Sequence, residues 1–158
     1  MPEGAAVNAS PLIYLSRIGH LDLLRVLPRP IVVPEPVFDE LAAGVPREPA
    51  VQAVEWLEVV AVTAAPQEVR AWDLGAGESA VLAWVRSHPA AVAVIDDLQG
   101  RRCAASLGLA VVGTLSVLVA AKRLGHMDAI RPMVLELLAH GMYLSERIVR
   151  EVLAVAGE

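Results

Sequence analysis

The chain has 158 residues, enough for one domain with a substantial core. Its hydrophobic fraction is 56% and its mean hydropathy +0.54, yet no apolar run reaches the length of a membrane span, so a buried α/β protein is expected, with apolar surface to spare for an oligomer interface. A formal net charge of −5 argues against a protein that coats nucleic acid non-specifically, though not against an enzyme that holds a phosphodiester with metal ions and a few arginines. Cys103 is the only cysteine, so no intrachain disulfide forms. That, with an N-terminus lacking a signal-peptide pattern, leads us to expect a cytoplasmic protein.

Taken in order, residues near 5–8 predict a short strand of small residues ending at Asn8. Ser10-Pro11 predicts a helix start, with Ser10 as N-cap, and Gly19 its stop. His20–Leu27 reads as a second short helix, broken by Pro28 and Pro30. Residues 31–33 read as a strand. Pro34 and Pro36 open a helix through Ala43, with Glu40 flanking its buried face. Val45–Pro49 reads as a loop, Ala50–Trp56 as helical and 57–62 as a strand. Ala64–Ala76 carries no clear pattern. Gly77-Glu78-Ser79 opens a helix reaching His88, where Pro89 ends it.

The most informative stretch is Ala91–Thr114. A valine-rich run at 91–95 reads as a strand buried on both faces, followed directly by Asp96 and Asp97. Gln99–Leu107 has helical spacing with Gly108 placed to stop it, and 110–112 is a second buried strand. Two such strands joined by one helix should be parallel. Thr114 then caps a helix to Leu124. Asp128–His140 and Ser145–Ala156 predict two more helices, and the segment near 128–156 offers an apolar interface. Alternating strands and helices predict one α/β domain over 1–158, a three-layer sandwich with a central parallel sheet of about five strands flanked by helices.

Asn8, Glu40, Glu78, Asp96 and Asp97 all fall at element ends or beside a buried face. Ligands in open parallel sheets bind outside the carboxyl ends of strands, so these groups are placed to gather at one edge. Adjacent carboxylates repel and need a cation to offset them. Hard ions such as Mg²⁺ and Mn²⁺ take oxygen ligands of this kind. Such an ion makes hydroxide available near neutral pH and stabilises charge on a phosphoryl group. Acids at helix starts also complement the macrodipole, which is the plain alternative for Glu40 and Glu78. Arg101 and Arg102 are placed either to meet phosphate or to balance Asp96 and Asp97. His20, His88, His126 and His140 sit at helix ends without HxxxH spacing, so no zinc site is expected. Cys103, Trp56, Trp72 and Trp84 read as packing residues. No nucleophile elbow or dinucleotide loop is present, and the place of the Asp96-Asp97 pair and of Lys122 does not suit a phospho-receiver.

Asn8-Ala9-Ser10-Pro11-Leu12-Ile13, Val33-Pro34-Glu35-Pro36-Val37-Phe38-Asp39-Glu40-Leu41, Gly77-Glu78-Ser79-Ala80 and Ile95-Asp96-Asp97-Leu98-Gln99-Gly100-Arg101-Arg102 come in that order. Together they resemble the PIN-domain nucleases, and in particular a prokaryotic branch related to VapC-type toxins. The resemblance implies a metal-dependent endoribonuclease, as the toxin of a type II toxin–antitoxin pair, with RNA, an antitoxin protein and a second copy of the chain as partners. It implies that Asn8, Glu40, Glu78, Asp96 and Asp97 form the metal and catalytic set with Mg²⁺ or Mn²⁺. Ser10, Arg101, Arg102 and Thr114 would serve the substrate. Asn8 stands where most PIN domains carry Asp. A neutral ligand holds a divalent ion less well, which leaves open a second function: a module of the same fold that binds RNA or protein without cutting.

Overall fold

A computed structural model describes residues 1–44 and 54–158. Its strands are β1 (Ala5–Val7), β2 (Ile31–Pro34), β3 (Leu57–Val60), β4 (Val92–Val94) and β5 (Ala110–Val112). They form one sheet in the order β3-β2-β1-β4-β5, with every pairing parallel. The helices are α1 (Ala9–Arg17), a 3-10 helix (Leu21–Val26), α2 (Glu35–Ala43), α3 (Gln67–Arg70), α4 (Ala76–Ser87), α5 (Leu98–Ser106), α6 (Thr114–Arg123), α7 (Arg131–Ala139) and α8 (Glu146–Val155). Every residue of β1, β2 and β4 is buried. Successive strand residues point to opposite faces, so both faces are covered at the centre of the sheet; the edge strands are less buried, and β5, expected to be a buried strand, has Ala110 exposed and Val111 and Val112 half-buried. Helix α4 packs on β1, β2 and β4, and α2 packs on α4 and on β2 and β3. Among the described residues no helix is long and apolar enough to cross a membrane.

The expected five parallel strands and flanking helices are present, and the differences are local. Strand β3 stops at Val60 rather than 62, where its ladder with β2 ends at the Pro34–Val60 pair. Pro34 has no N–H to extend the ladder, and α2 begins at the next residue. The segment after His20 forms a 3-10 helix, not an α-helix. Within the unpatterned 64–76 stretch, Gln67–Arg70 make one helical turn. The expected Val45–Pro49 loop and most of the Ala50–Trp56 helix lie outside the described residues; residues 54–56 lead into β3 without helical structure.

Two helix starts differ for a reason that bears on the site. Helix α1 begins at Ala9, so Asn8 and not Ser10 occupies the N-cap position. Helix α6 has Gly113 at its N-cap and Thr114 as its first residue. Both hydroxyls expected to cap are used elsewhere, as described below.

Helix α7 starts at Arg131 rather than Asp128, with Pro132 in its first turn. Its leading N–H groups are satisfied by the Glu158 carboxylate, which accepts from Ile130 (2.7 Å) and Arg131 (3.2 Å). Lys122 Nζ lies 3.0 Å from the same carboxylate and donates to the Ala156 carbonyl at 2.7 Å. The Ile130 N–H, and after it Lys122, hold the Glu158 carboxyl below its ordinary value of 4.5. A carboxyl lowered by folding stabilises above its unfolded value and loses that contribution as pH falls through its folded value. Glu158→Gln is therefore expected to lower the Tm at neutral pH. The gap to wild type should shrink as the pH is taken below 4.5, which a pH series of thermal melts reads directly.

Candidate active site

Strand order places the site. From β1 the chain moves outward to β2, and from β4 it moves the other way to β5. Between β1 and β4 the winding reverses, and the chains leaving their carboxyl ends diverge to open a crevice. Asn8 follows β1 and Asp96-Asp97 follow β4, so both flank that crevice. The N–H of Asn8 donates to the Val94 carbonyl at 3.0 Å, fixing the two strand ends together.

Asp96 is the most firmly held group there. Its Oδ1 accepts the Thr114 N–H at 2.7 Å. Its Oδ2 accepts the Thr114 hydroxyl at 2.7 Å and the Ser10 hydroxyl at 3.1 Å. Thr114 is 0% exposed. Its expected contact with substrate is thus replaced by a positioning role, because a sealed hydroxyl already donated to Asp96 reaches nothing in the crevice. Ser10 acts on the same carboxylate from α1. A carboxylate offers about four acceptor positions and three are filled, so Asp96 keeps roughly one for the crevice.

Asp97 does something different. It is the N-cap of α5, its Oδ2 accepting the N–H groups of Gln99 (3.0 Å) and Gly100 (3.2 Å). Glu78 lies in the first turn of α4. Its carboxyl is raised above the ordinary 4.5, first by burial, then by the charges of Asp97 and Glu40. The two flanking acids felt by Glu78 are therefore Asp97 and Glu40. Glu40 Oε1 in turn accepts the Gly77 N–H at 3.0 Å, reaching from α2 to the start of α4.

Three glycines, Gly77 and Gly100 within the motifs and Gly113 before Thr114, make this packing possible. A Cβ on Gly77 would lie 2.8 Å from Glu40 Oε1. On Gly100 it would lie 3.2 Å from Glu78 Oε2 and 2.9 Å from Ile95 Cγ2. On Gly113 it would lie 2.9 Å from Asp96 Oδ1 and 2.8 Å from Arg101 Nη1. Each is a close approach of backbone to a carboxylate that a side chain would obstruct.

The cleft over these groups has two lobes. A lobe of about 450 Å³ is lined by Asn8, Ser10, Tyr14, Glu40 and Glu78 among others. A second of about 770 Å³ is lined by Asn8, Ser10, Tyr14, Glu78, Asp96, Asp97 and Arg101 among others. Arg101 donates from Nη1 to the Ile95 carbonyl at 3.1 Å. Arg102 is exposed and lines neither lobe. Tyr14, Tyr143 and Leu98 also border the cleft, and no pattern in the sequence had marked them.

The donor set suits a hard divalent ion in kind. Asn8 is 5% exposed and its Oδ1 is buried with no hydrogen-bond partner among the described residues, an acceptor suited to a positive group. Glu78 lines both lobes with Asn8 and feels the charges of Asp97 and Glu40. Among the described residues, no three acidic, histidine or cysteine groups are drawn together closely enough to ligate one ion directly.

A family model described as a PIN domain matches residues 5–158. No curated protein matches the chain.

A carboxyl raised by folding favours the fold while it is protonated and costs stability as pH rises through its folded value. Glu78→Gln should therefore raise the Tm of the metal-free protein at neutral pH. The gain should vanish once the pH falls below 4.5, and thermal melts in EDTA across pH check both signs.

Proposed function

The chain belongs to the PIN-domain family, whose members are generally nucleases, and from that premise we propose that it is a metal-dependent endoribonuclease of the toxin type. The observation that carries this reading is the buried Asn8 Oδ1, which has no hydrogen-bond partner among the described residues and lies at the sheet's switch point in a cleft also lined by Glu40, Glu78 and Asp97. Mg²⁺ or Mn²⁺, when bound, supplies Lewis-acid charge for the phosphoryl oxygens and lowers the pKa of water. Asn8 and one or two of Glu40, Glu78 and Asp97 would hold it directly, with the remaining acids acting through its bound waters. Asp96, fixed by Thr114 and Ser10, orients its remaining acceptor position toward an attacking water. Glu78, whose ionised form is disfavoured by burial and by the charges of Asp97 and Glu40, would gain most from the ion's positive charge. Arg101 has one of its five N–H donors in use in a structural bond and presents the rest of its guanidinium to a phosphate.

Exposed Leu135 on α7 and Val155 on α8 support a further part of the same proposal. The C-terminal helices would give a face for an antitoxin protein or a second copy of the chain. The neutral Asn8 favours one alternative, a PIN-fold module that binds RNA without cutting it.

The test is cleavage of end-labelled RNA with Mn²⁺ or Mg²⁺. EDTA should abolish it, and Asp97→Asn, which keeps a good N-cap residue, should slow it by about 100-fold or more. Metal-independent cutting, or an Asp97→Asn variant as fast as wild type, would contradict the reading. Tight RNA binding with no cutting under any metal would select the alternative.

A further inference from the structure

Besides the acids, the larger lobe carries a feature the nuclease centre does not use. Tyr143 is 92% exposed at its border, next to Leu98 at 58% and Ile148 at 40%. Three exposed apolar side chains bordering one cleft are the kind of surface that receives a ligand. The backbone just before the tyrosine is anchored. Its neighbour Met142 is buried and bonded through its N–H to the Leu137 carbonyl at 3.0 Å. The Gly141 carbonyl accepts the Tyr14 hydroxyl at 3.3 Å, tying the segment to α1. An aromatic ring held in solvent by a fixed backbone loses little entropy on stacking.

Charge narrows the occupant. A chain of net charge −5 lacks the excess of Lys and Arg that lets proteins hold nucleic acid through phosphates alone. A strand bound in this cleft therefore draws much of its affinity from base contacts. We propose that Tyr143, with Leu98 and Ile148, forms a nucleobase-stacking subsite that seats one base of a single-stranded nucleic acid beside the acid centre, with Arg101 meeting the adjoining phosphate. This rests on the nuclease reading above and extends it to how the strand is gripped. Duplex bases show no free π-face, so the subsite selects unpaired nucleotides. The lobe, at about 770 Å³, is in the range of sites that bury small ligands.

The test uses the full chain and a short single-stranded oligoribonucleotide carrying 2-aminopurine, whose fluorescence falls on stacking, in EDTA so that nothing is cut. Tyr143→Ala should weaken binding roughly 5- to 150-fold and abolish the quenching, while Tyr143→Phe stays within about twofold of wild type. Because Tyr143 is exposed, both variants should melt like wild type. Separately, wild-type hydrolysis of methyl p-nitrophenyl phosphate with Mn²⁺ probes the nuclease centre with an ester that has no base. Tyr143→Ala binding as tightly as wild type, or no oligonucleotide binding by wild type, overturns the subsite whatever the ester result. Failure on the ester with Tyr143-dependent binding intact overturns the nuclease reading and leaves the subsite standing.

Discussion

The Asp96 carboxylate ties the molecule's working end together. It sits after β4 and receives Thr114 from the start of α6 and Ser10 from α1. Three chain segments that leave the sheet in different directions thus meet at one charged group. Hydrogen bonds to a charged acceptor are about twice as strong as neutral ones, and removing one donor would leave a partly buried charge under-satisfied. The sheet supplies the reason they meet there. With β1 at its centre and the winding reversed between β1 and β4, the carboxyl ends of those two strands are where loops part.

Around that fixed point the remaining acids are arranged at some cost. Burial and the charges of Asp97 and Glu40 all disfavour ionised Glu78. The buried Asn8 Oδ1 has no donor among the described residues. A fold without a use for these groups gains nothing by gathering them, since an apolar replacement would relieve both penalties. Stability given up at one place is a common mark of a functional site. Gly77, Gly100 and Gly113 extend the same logic to the backbone, each leaving room for a carboxylate where any side chain would press on it.

Much of this was legible in the sequence. Valine-rich runs bounded by acids, Gly and Pro marked the strands, because a strand buried on both faces is a continuous apolar run. Element ends marked Asn8, Glu78, Asp96 and Asp97. What the sequence did not show was division of labour. Asp96 and Asp97 are adjacent and alike in a string of letters, yet one is gripped by Thr114 and Ser10 while the other caps α5. Ser10 and Thr114 each carry the local signal of a helix cap, and a tertiary bond to Asp96 overrides it. Arg101 and Arg102 differ only in which face of α5 they occupy. Tyr14 and Tyr143 stand far apart in the chain, so only the fold joins them at the cleft.

The central claim is that this pocket takes a divalent ion despite a neutral residue at position 8. Calorimetric titration of Mn²⁺ into the purified chain and into Asn8→Asp tests it most directly. Wild type should bind Mn²⁺ with measurable heat, and Asn8→Asp should bind it about tenfold or more tightly, because the added carboxylate interacts at close range in a partly buried pocket. No binding by wild type, or an Asn8→Asp variant no tighter than wild type, would contradict the claim that Asn8 and its neighbouring acids form the ion's seat.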